Sequence, residues 1–282
     1  MRWSHLNRKR KRNSWVRWAA GATVLCSLLL ADSNLRLVTT EYELAFPELP
    51  AGFDGFRVVQ LSDIHGAVYG RDNVRLLRAV ERARPDLIAI TGDLADADSD
   101  LADVEALLTE LTRLAPVYYV TGNHEWSDGL LPALKPMLER QGVRYLSNEY
   151  VLLEREGDTV VLAGVDDPNG YATQPKPPEV ADTLPENSFR ILLGHRNDWL
   201  TKYPELPVDL ILCGHAHGGL VRLPFLGGVL GRGRELFPDY TAGVYGSGRC
   251  RMVVSRGVGP IMGLPRFWNN PELVAVTLRK AK

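Results

Sequence analysis

Five of the six histidines in this chain stand in short polar clusters, each beside a glycine, an aspartate or an asparagine. The clusters are Asp63 with His65, Asp93 after Gly92, Asn123 with His124 after Gly122, His195 after Gly194, and His215 with His217 after Gly214. A single histidine in such a place is more often structural. Five together, with two aspartates and one asparagine, form the kind of set that marks a metal site. Its donors are imidazole nitrogen, carboxylate and amide oxygen, with no thiolate, which favours Mn²⁺, Fe²⁺ or Zn²⁺ over a soft metal. Asp63 and His65, two residues apart, can turn toward one ion, as can His215 and His217. Two ions about 3.5–4 Å apart can clamp a phosphoryl group and activate a bridging water for in-line attack. One carboxylate must then bridge them, and Asp93, between the two ligand groups, suits that place.

The elements that must position these residues alternate along the chain. Arg57–Ser62 reads as a buried strand that runs into Asp63, and Asn73–Arg84 has apolar residues at helical spacing before Pro85 stops it. Leu87–Thr91 is a second buried strand ending at Gly92-Asp93, Asp100–Leu114 a second helix, and Val117–Thr121 a third strand ending at Gly122-Asn123-His124. This repetition predicts a right-handed parallel sheet. Further strands are expected near Val160–Gly164, Arg190–Leu193, Leu210–Cys213, Met252–Ser255 and Leu273–Leu278. Every candidate ligand then falls just past the C-terminal end of a strand, where open α/β sheets bind their ligands.

Net charge excludes one class of partner. The overall value is −1, but residues 1–31 hold seven Lys or Arg and no acid, leaving 26 basic against 34 acidic residues in the remainder. A body that acidic makes a poor polyanion binder, so no nucleic-acid partner is expected. Cys26, Cys213 and Cys250 form neither a disulfide framework nor a thiolate metal motif.

The basic run Arg8–Arg12 precedes the uncharged stretch Trp18–Ala31. Fourteen residues make about 21 Å of helix, short of a hydrocarbon core of about 30 Å unless the span extends to Val16 with Arg17 snorkelling. An uncleaved signal anchor, a cleaved signal peptide and a buried helix of the globular body all remain open. The anchor accounts for the Trp15/Trp18 pair and for the large residues at the expected cleavage point. Basic residues ahead of the apolar run would keep the N-terminus cytoplasmic and place the body across the membrane. The division expected is residues 1–34 as tail and apolar segment, and 35–282 as one catalytic domain.

Taken together, Ser62-Asp63-Ile64-His65, Thr91-Gly92-Asp93, Gly122-Asn123-His124-Glu125, His195 and Gly214-His215-Ala216-His217 resemble the motifs of the calcineurin-like metallophosphoesterase superfamily, in order. The resemblance covers about residues 55–280. It implies a four-layer α/β/β/α sandwich with a dinuclear site at the strand C-terminal ends. It further implies Asp63, His65 and His217 as ligands of one metal, Asn123, His195 and His215 as ligands of the other, and Asp93 as the bridge. His124 resembles the family's non-ligand histidine, which stabilises phosphoryl oxygens or protonates the leaving group, with Glu125 or Asp96 to orient it. Gly218–Pro224, Val254–Gly259 and Pro265-Arg266-Phe267 resemble the membrane-associated bacterial YaeI/YkuE-like phosphodiesterase branch. Two positions depart from it: Arg196-Asn197 follows His195 where Asn-Pro is more usual, and Leu220 replaces a common Gln.

The expected activity is hydrolysis of phosphodiester or pyrophosphate bonds at the membrane, with lipid-linked substrates in view because relatives in this broad branch cleave lipid-linked sugar nucleotides. An anchored nucleotide phosphodiesterase or phosphomonoesterase is the alternative, and a non-catalytic metal-binding module a third. Arg222, Arg256 and Arg266 are candidates to touch the substrate phosphate or headgroup, against the plain reading of surface or structural arginines. Leu220–Leu230 is more apolar than a surface loop needs, and reads equally as a lipid-facing lip or as core.

Overall fold

A computed structural model describes residues 3–223, 225–231, 234–261 and 263–281, with backbone alone for residues 3–14 and Ser247. Arg2, one of the seven basic residues at the N-terminus, and Pro224 of the apolar loop lie outside the described residues.

In chain order the elements begin with α1 (Trp3–Leu35), β1 (Val38–Phe46), β2 (Arg57–Leu61), α2 (Val74–Ala83), β3 (Leu87–Thr91) and α3 (Leu101–Leu114). They continue through β4 (Val117–Val120), α4 (Asn123–Ser127), α5 (Leu131–Arg140), β5 (Arg144–Tyr145), β6 (Tyr150–Arg155) and β7 (Asp158–Gly164). The remainder are α6 (Pro177–Ala181), β8 (Arg190–Leu193), α7 (Trp199–Lys202), β9 (Leu210–Cys213), β10 (Val221–Leu223), β11 (Gly227–Leu230), β12 (Gly243–Ser247), β13 (Cys250–Val254) and β14 (Glu272–Lys280).

Two six-stranded sheets face each other, ordered β1-β14-β2-β3-β4-β5 and β12-β13-β9-β8-β7-β6. Strand alternation explains why both are buried on both faces. In β3, Ile88 and Ile90 pack outward under the helices while Ala89 points between the sheets. In β9, Leu210 and Leu212 point between the sheets while Ile211 and Cys213 pack outward. Three cores result. The outer ones lie under α2, α3 and α5 on one side and under α6 and α7 on the other, and the central one joins Phe46, Val58, Leu162, Leu193, Leu212 and Val274. This is the expected four-layer sandwich.

The sheets are not wholly parallel, as the strand–helix repetition suggests they should be. β2, β3, β4 and β5 run parallel, and so do β7, β8, β9 and β13. However, β14 enters antiparallel beside β2, and the edge strands β6 and β12 pair antiparallel with β7 and β13. Strands joined by a two-residue turn must run antiparallel, and Glu156-Gly157 is such a turn.

The helix α1 runs unbroken to Leu35, so its apolar part is longer than the uncharged stretch alone. Trp15–Leu35 spans 21 residues with a mean hydropathy of 1.2, and 6% of that window is buried. That exposure overturns the reading of this segment as a buried helix of the body. Only Arg36 and Leu37 separate α1 from β1, and the helix foot is tied to the body. Asn34 exchanges two hydrogen bonds with the Arg266 backbone, donating to its carbonyl (2.9 Å) and accepting from its N–H (2.8 Å).

Leu212 is fully buried where the two sheets meet. Leu212→Ala leaves a cavity that rigid strands on both sides cannot close, and should cost about 2–5 kcal/mol, read from the urea midpoint at unchanged m-value.

Candidate dinuclear metal centre

The tips of β2, β3, β4, β8 and β9 bring the polar clusters together. Asp63, His65, Asp93 and His217 form one group whose ligand atoms lie within 4.8 Å of one another, and Asp93, His195 and His215 form a second. Asp93 belongs to both. Its Oδ2 lies 3.2 Å from His195 Nε2 and 3.8 Å from His65 Nε2, while His217 Nε2 lies 3.2 Å from Asp63 Oδ1. Asn123 Oδ1 is 3.2 Å from His195 Nε2, and His215 Nδ1 is 3.2 Å from the same atom. All seven residues named as ligands from the sequence therefore converge.

These residues are held at a conformational cost. Asp63, His65, Asp93, His215 and His217 all adopt φ between 48° and 65°, a region that non-glycine residues rarely occupy. Such strain persists where the surroundings over-determine it, and it gathers at functional sites. Here the hydrogen bonds that fix it are visible: Asp63 N donates to Gly92 O, His65 N to Asp93 O, and His215 N to the Asp63 carboxylate.

Glu125 ties the β3 and β4 tips together. Its carboxylate accepts from the N–H groups of Leu94 (2.6 Å), Gly122 (2.7 Å) and Asp93 (3.1 Å). Burial, then the nearby Asp93 charge, push its carboxyl up to about 7. Glu125 does not orient His124, contrary to one of the two expectations. Nor does Asp96, whose Oδ2 lies 3.3 Å from His65 Nδ1 and whose carboxyl is held down at about 2, chiefly by that histidine. The partner of His124 is Asp128, with Oδ2 3.2 Å from Nδ1. The signal was present in the spacing, since Asp128 follows His124 by one helical turn.

The imidazoles are oriented from behind. His195 Nδ1 donates to Thr91 O at 2.9 Å, which turns its Nε2 inward. Burial opposes charge on His195, yet Asp93 and more distant carboxylates raise it to about 10. Burial likewise opposes charge on Asp93, and His195, His65 and the His124 N–H hold its carboxyl far below the ordinary range. This is a cluster whose carboxylates demand positive charge. Asp93 Oδ2 is buried, and no donor reaches it with hydrogen-bond geometry. An anionic oxygen so placed, amid imidazole nitrogens turned toward it, fits a divalent cation.

A family model for calcineurin-like phosphoesterases matches residues 56–219, more than half of the chain. The chain belongs to that family. It is 31% identical to the uncharacterized metallophosphoesterase YkuE of Bacillus subtilis, over 86% of this chain and 85% of that one. It is 29% identical to the phosphodiesterase YaeI of Escherichia coli, over 79% and 82% of the two chains. A transmembrane protein with a metallophosphoesterase domain from Danio rerio is also 29% identical, over 86% of this chain and 57% of its own length. Among solved structures, the sulfate thiohydrolase SoxB of Thermus thermophilus superposes with a TM-score of 0.52 at 15% identity, over 82% of this chain and 57% of that one, a likeness of fold. As a calcineurin-like phosphoesterase, the protein is a metal-dependent phosphoester hydrolase with a dinuclear divalent site.

Beside the centre, a cavity of about 270 Å³ opens among Asp167, Tyr171, His195, Arg196, Trp199 and Lys202. Arg196, one of the departures from the phosphoesterase pattern, is gripped by the buried Asp167 carboxylate at 2.6 and 2.9 Å and stands 3.0 Å from His215 Nε2. Sequence reading gave no role to Asp167, whose partner lies 29 residues away.

The three candidate substrate arginines are otherwise engaged. Arg266 is 1% exposed and donates to the carbonyls of Gly259, Arg256, Gly257, His217 and Asn269, so the expected substrate contact is not made. Its burial depresses the guanidinium to about 10. Arg256 pairs with Glu272 at 3.0 Å. Arg222 Nη1 donates to Gly218 O and Thr241 Oγ1.

A Cβ at Gly122 would lie 2.2 Å from Asp93 Oδ1 and 2.4 Å from Asp93 N, deep in the β3–β4 junction. Gly122→Ala must therefore displace Asp93. Its expected result is loss of tightly bound divalent metal, counted per chain by mass spectrometry of the elements, with far-UV circular dichroism preserved.

Proposed function

We propose that the chain hydrolyses phosphodiester or pyrophosphate bonds at a membrane, with Asp93 shared between two divalent ions. Asp63, His65 and His217 complete the holding of the first ion, and Asn123, His195 and His215 that of the second. The observation that carries this reading is the overlap of two ligand groups at one buried carboxylate. When bound, such an ion pair supplies Lewis acidity toward phosphoryl oxygens and lowers the pKa of water.

The rest falls to the chain's own groups. His124 is buried, with its ring centroid 5.0 Å from that of His65 and its N–H bonded to Asp93 Oδ1 at 2.9 Å. With Nδ1–H donating to Asp128, the imidazolium form of the ring carries a second proton on Nε2, and that proton passes to the departing oxygen as the ring becomes neutral. Thr91 O and Asp96 set the orientation of His195 and His65. Arg196, fixed by Asp167 at the cavity mouth, is placed to meet the part of the substrate beyond the scissile phosphate.

Residues 1–34 serve in this reading as a basic tail and membrane anchor, and 35–282 as the catalytic domain on the non-cytoplasmic face of a bacterial inner membrane. Support comes from the exposed apolar length of Trp15–Leu35, the basic residues ahead of it, and relatives named as transmembrane proteins. An anchored enzyme meets membrane substrates most often, which favours lipid-linked phosphodiesters and pyrophosphates over free nucleotides.

The test uses the full chain in detergent, metal-stripped and reloaded with Mn²⁺, Fe²⁺ or Zn²⁺. Substrates are bis-p-nitrophenyl phosphate, p-nitrophenyl phosphate and a lipid-linked pyrophosphate. Metal-dependent turnover that disappears in Asp93→Asn is expected, and failure to bind two ions would sink the reading. His124→Ala should lower kcat by about 10²–10⁴ with metal content unchanged. Asp128→Asn should lower kcat by less, with KM nearly constant, because it positions His124 without touching substrate.

A further inference from the structure

The foot of α1 touches more than one segment of the body. Besides the Asn34–Arg266 pair, Ser33 Oγ accepts from Trp268 N at 2.9 Å, and Asn270 Nδ2 donates to Asp32 O at 2.8 Å. The loop so held pairs onward, because Phe267 bridges to Val221 of β10, which is hydrogen-bonded to β11. On the far side of β11, Leu230 bridges to Leu236, and Phe237 N donates to Val229 O at 2.9 Å. Helix foot, Arg266–Trp268 loop, hairpin and the 235–237 segment are thus one hydrogen-bonded unit.

That unit is apolar on its solvent side. Phe225 at the hairpin tip is fully exposed, and Leu226, Leu236, Phe237, Leu264 and Trp268 are 64%, 71%, 62%, 52% and 46% exposed. The core reading of Leu220–Leu230 therefore fails at its tip. Scattered surface apolar residues need no explanation, but five in one connected unit, with Leu264 two residues before it, do. Three of them also carry strain, with φ of 66° at Phe225 and 53° at both Phe237 and Trp268, unusual for bulky side chains. The backbone accepts that cost while leaving the rings in water.

We propose that this unit is a second membrane contact, which dips into the lipid surface around the α1 foot and seats the mouth of the metal centre there. The proposal rests on the anchor reading of α1. It follows from the lack of slack, since a span whose last residues are bonded to the body allows no tether between bilayer and domain. Trp268, within one hydrogen bond of Ser33, must then lie at the interface, where tryptophan is favoured. Burying a phenylalanine or leucine side chain in lipid removes its apolar surface from water and is favourable. The same unit abuts the site: Asn269 Nδ2 donates to His217 O and Gly219 O, at 2.7 and 2.8 Å. A substrate whose phosphate lies at the headgroup level then reaches the centre without leaving the bilayer.

The test places a nitrobenzoxadiazole probe on Phe225→Cys in the Cys26→Ser full chain, where the remaining thiols, Cys213 and Cys250, are buried. The protein is reconstituted in vesicles of phosphatidylethanolamine and phosphatidylglycerol. Quenching by doxyl-labelled acyl chains with blue-shifted emission is expected at position 225. No such quenching is expected at Glu156→Cys, in the turn preceding β7 at the strand ends opposite the centre. A probe at 225 quenched by aqueous iodide and not by doxyl lipid overturns the proposal. One shielded from both overturns it as well, by showing protein over this face. A probe on native Cys26 separates the failures: if it too escapes doxyl quenching, the anchor reading itself has fallen. Phe225→Glu combined with Phe237→Glu should reduce turnover of a vesicle-borne substrate and leave that of bis-p-nitrophenyl phosphate unchanged.

Discussion

Two carboxylates, Asp63 and Asp93, lie at zero exposure a few ångströms from imidazoles, and this buried negative charge is what the surrounding structure has to accommodate. An isolated carboxylate taken out of water costs several kcal/mol, and hydrogen bonds from neutral donors offset only part of that. The cluster supplies such donors to Asp93 Oδ1 and to Asp63, from the N–H groups of His124 and His215. Asp93 Oδ2 receives none. A third buried carboxyl, Glu125, stands behind Asp93 and is pushed toward neutrality by burial and by the Asp93 charge, despite the N–H groups it accepts from. The arrangement is coherent when divalent charge sits in front of Asp93, because that charge would relieve both groups at once.

Holding such a cluster requires rigid tips rather than flexible loops. The strained φ values at five of the seven proposed ligands fall where the chain leaves a strand, and every strand involved is buried on both faces. The strands resist relaxation, so the strain stays localised at the turns. Gly92 shows how little room remains, with φ of 84° and a Cβ position only 2.6 Å from both Gly122 N and His195 Nδ1. Strand geometry, loop strain and close backbone approach are therefore one constraint expressed at three scales.

Much of this was legible in the sequence because the governing signals are local. Leu87–Thr91, Arg190–Leu193 and Leu210–Cys213 are buried runs bounded by turn residues, and they fold over those same residues. Their following polar residues needed no three-dimensional information to be noticed. What escaped was non-local or two-sided. β1 alternates exposed and partly buried positions at a sheet edge, so it lacks the continuous apolar run that marks a central strand. The antiparallel entry of β14 beside β2 joins residues over 200 apart, which no local pattern encodes. Asp167 reads as an ordinary loop acid until the fold sets it against Arg196, and Asp96, expected to orient His124, meets His65 instead. Arg266 misled for a related reason: an arginine among apolar residues signals burial, but burial alone does not distinguish a ligand contact from a strut.

That strut gives the architecture its mechanical logic. The guanidinium of Arg266 gathers carbonyls from Arg256, Gly257, Gly259, His217 and Asn269, while its own backbone N–H and carbonyl are held by Asn34 of α1. Gly257 and Gly259 in turn press on Asp63, since a Cβ at either would come within 3 Å of Asp63 atoms. One residue thus links the helix foot, the carbonyl cage behind His217 and the loop that backs Asp63. A buried arginine is tolerated only where its donors are satisfied, so the cage and the helix foot stabilise each other. Pulling the helix foot away would loosen Arg266, and loosening Arg266 would strand five carbonyls beside the metal centre. The foot of α1 and the metal-site geometry are therefore mechanically coupled through one buried side chain.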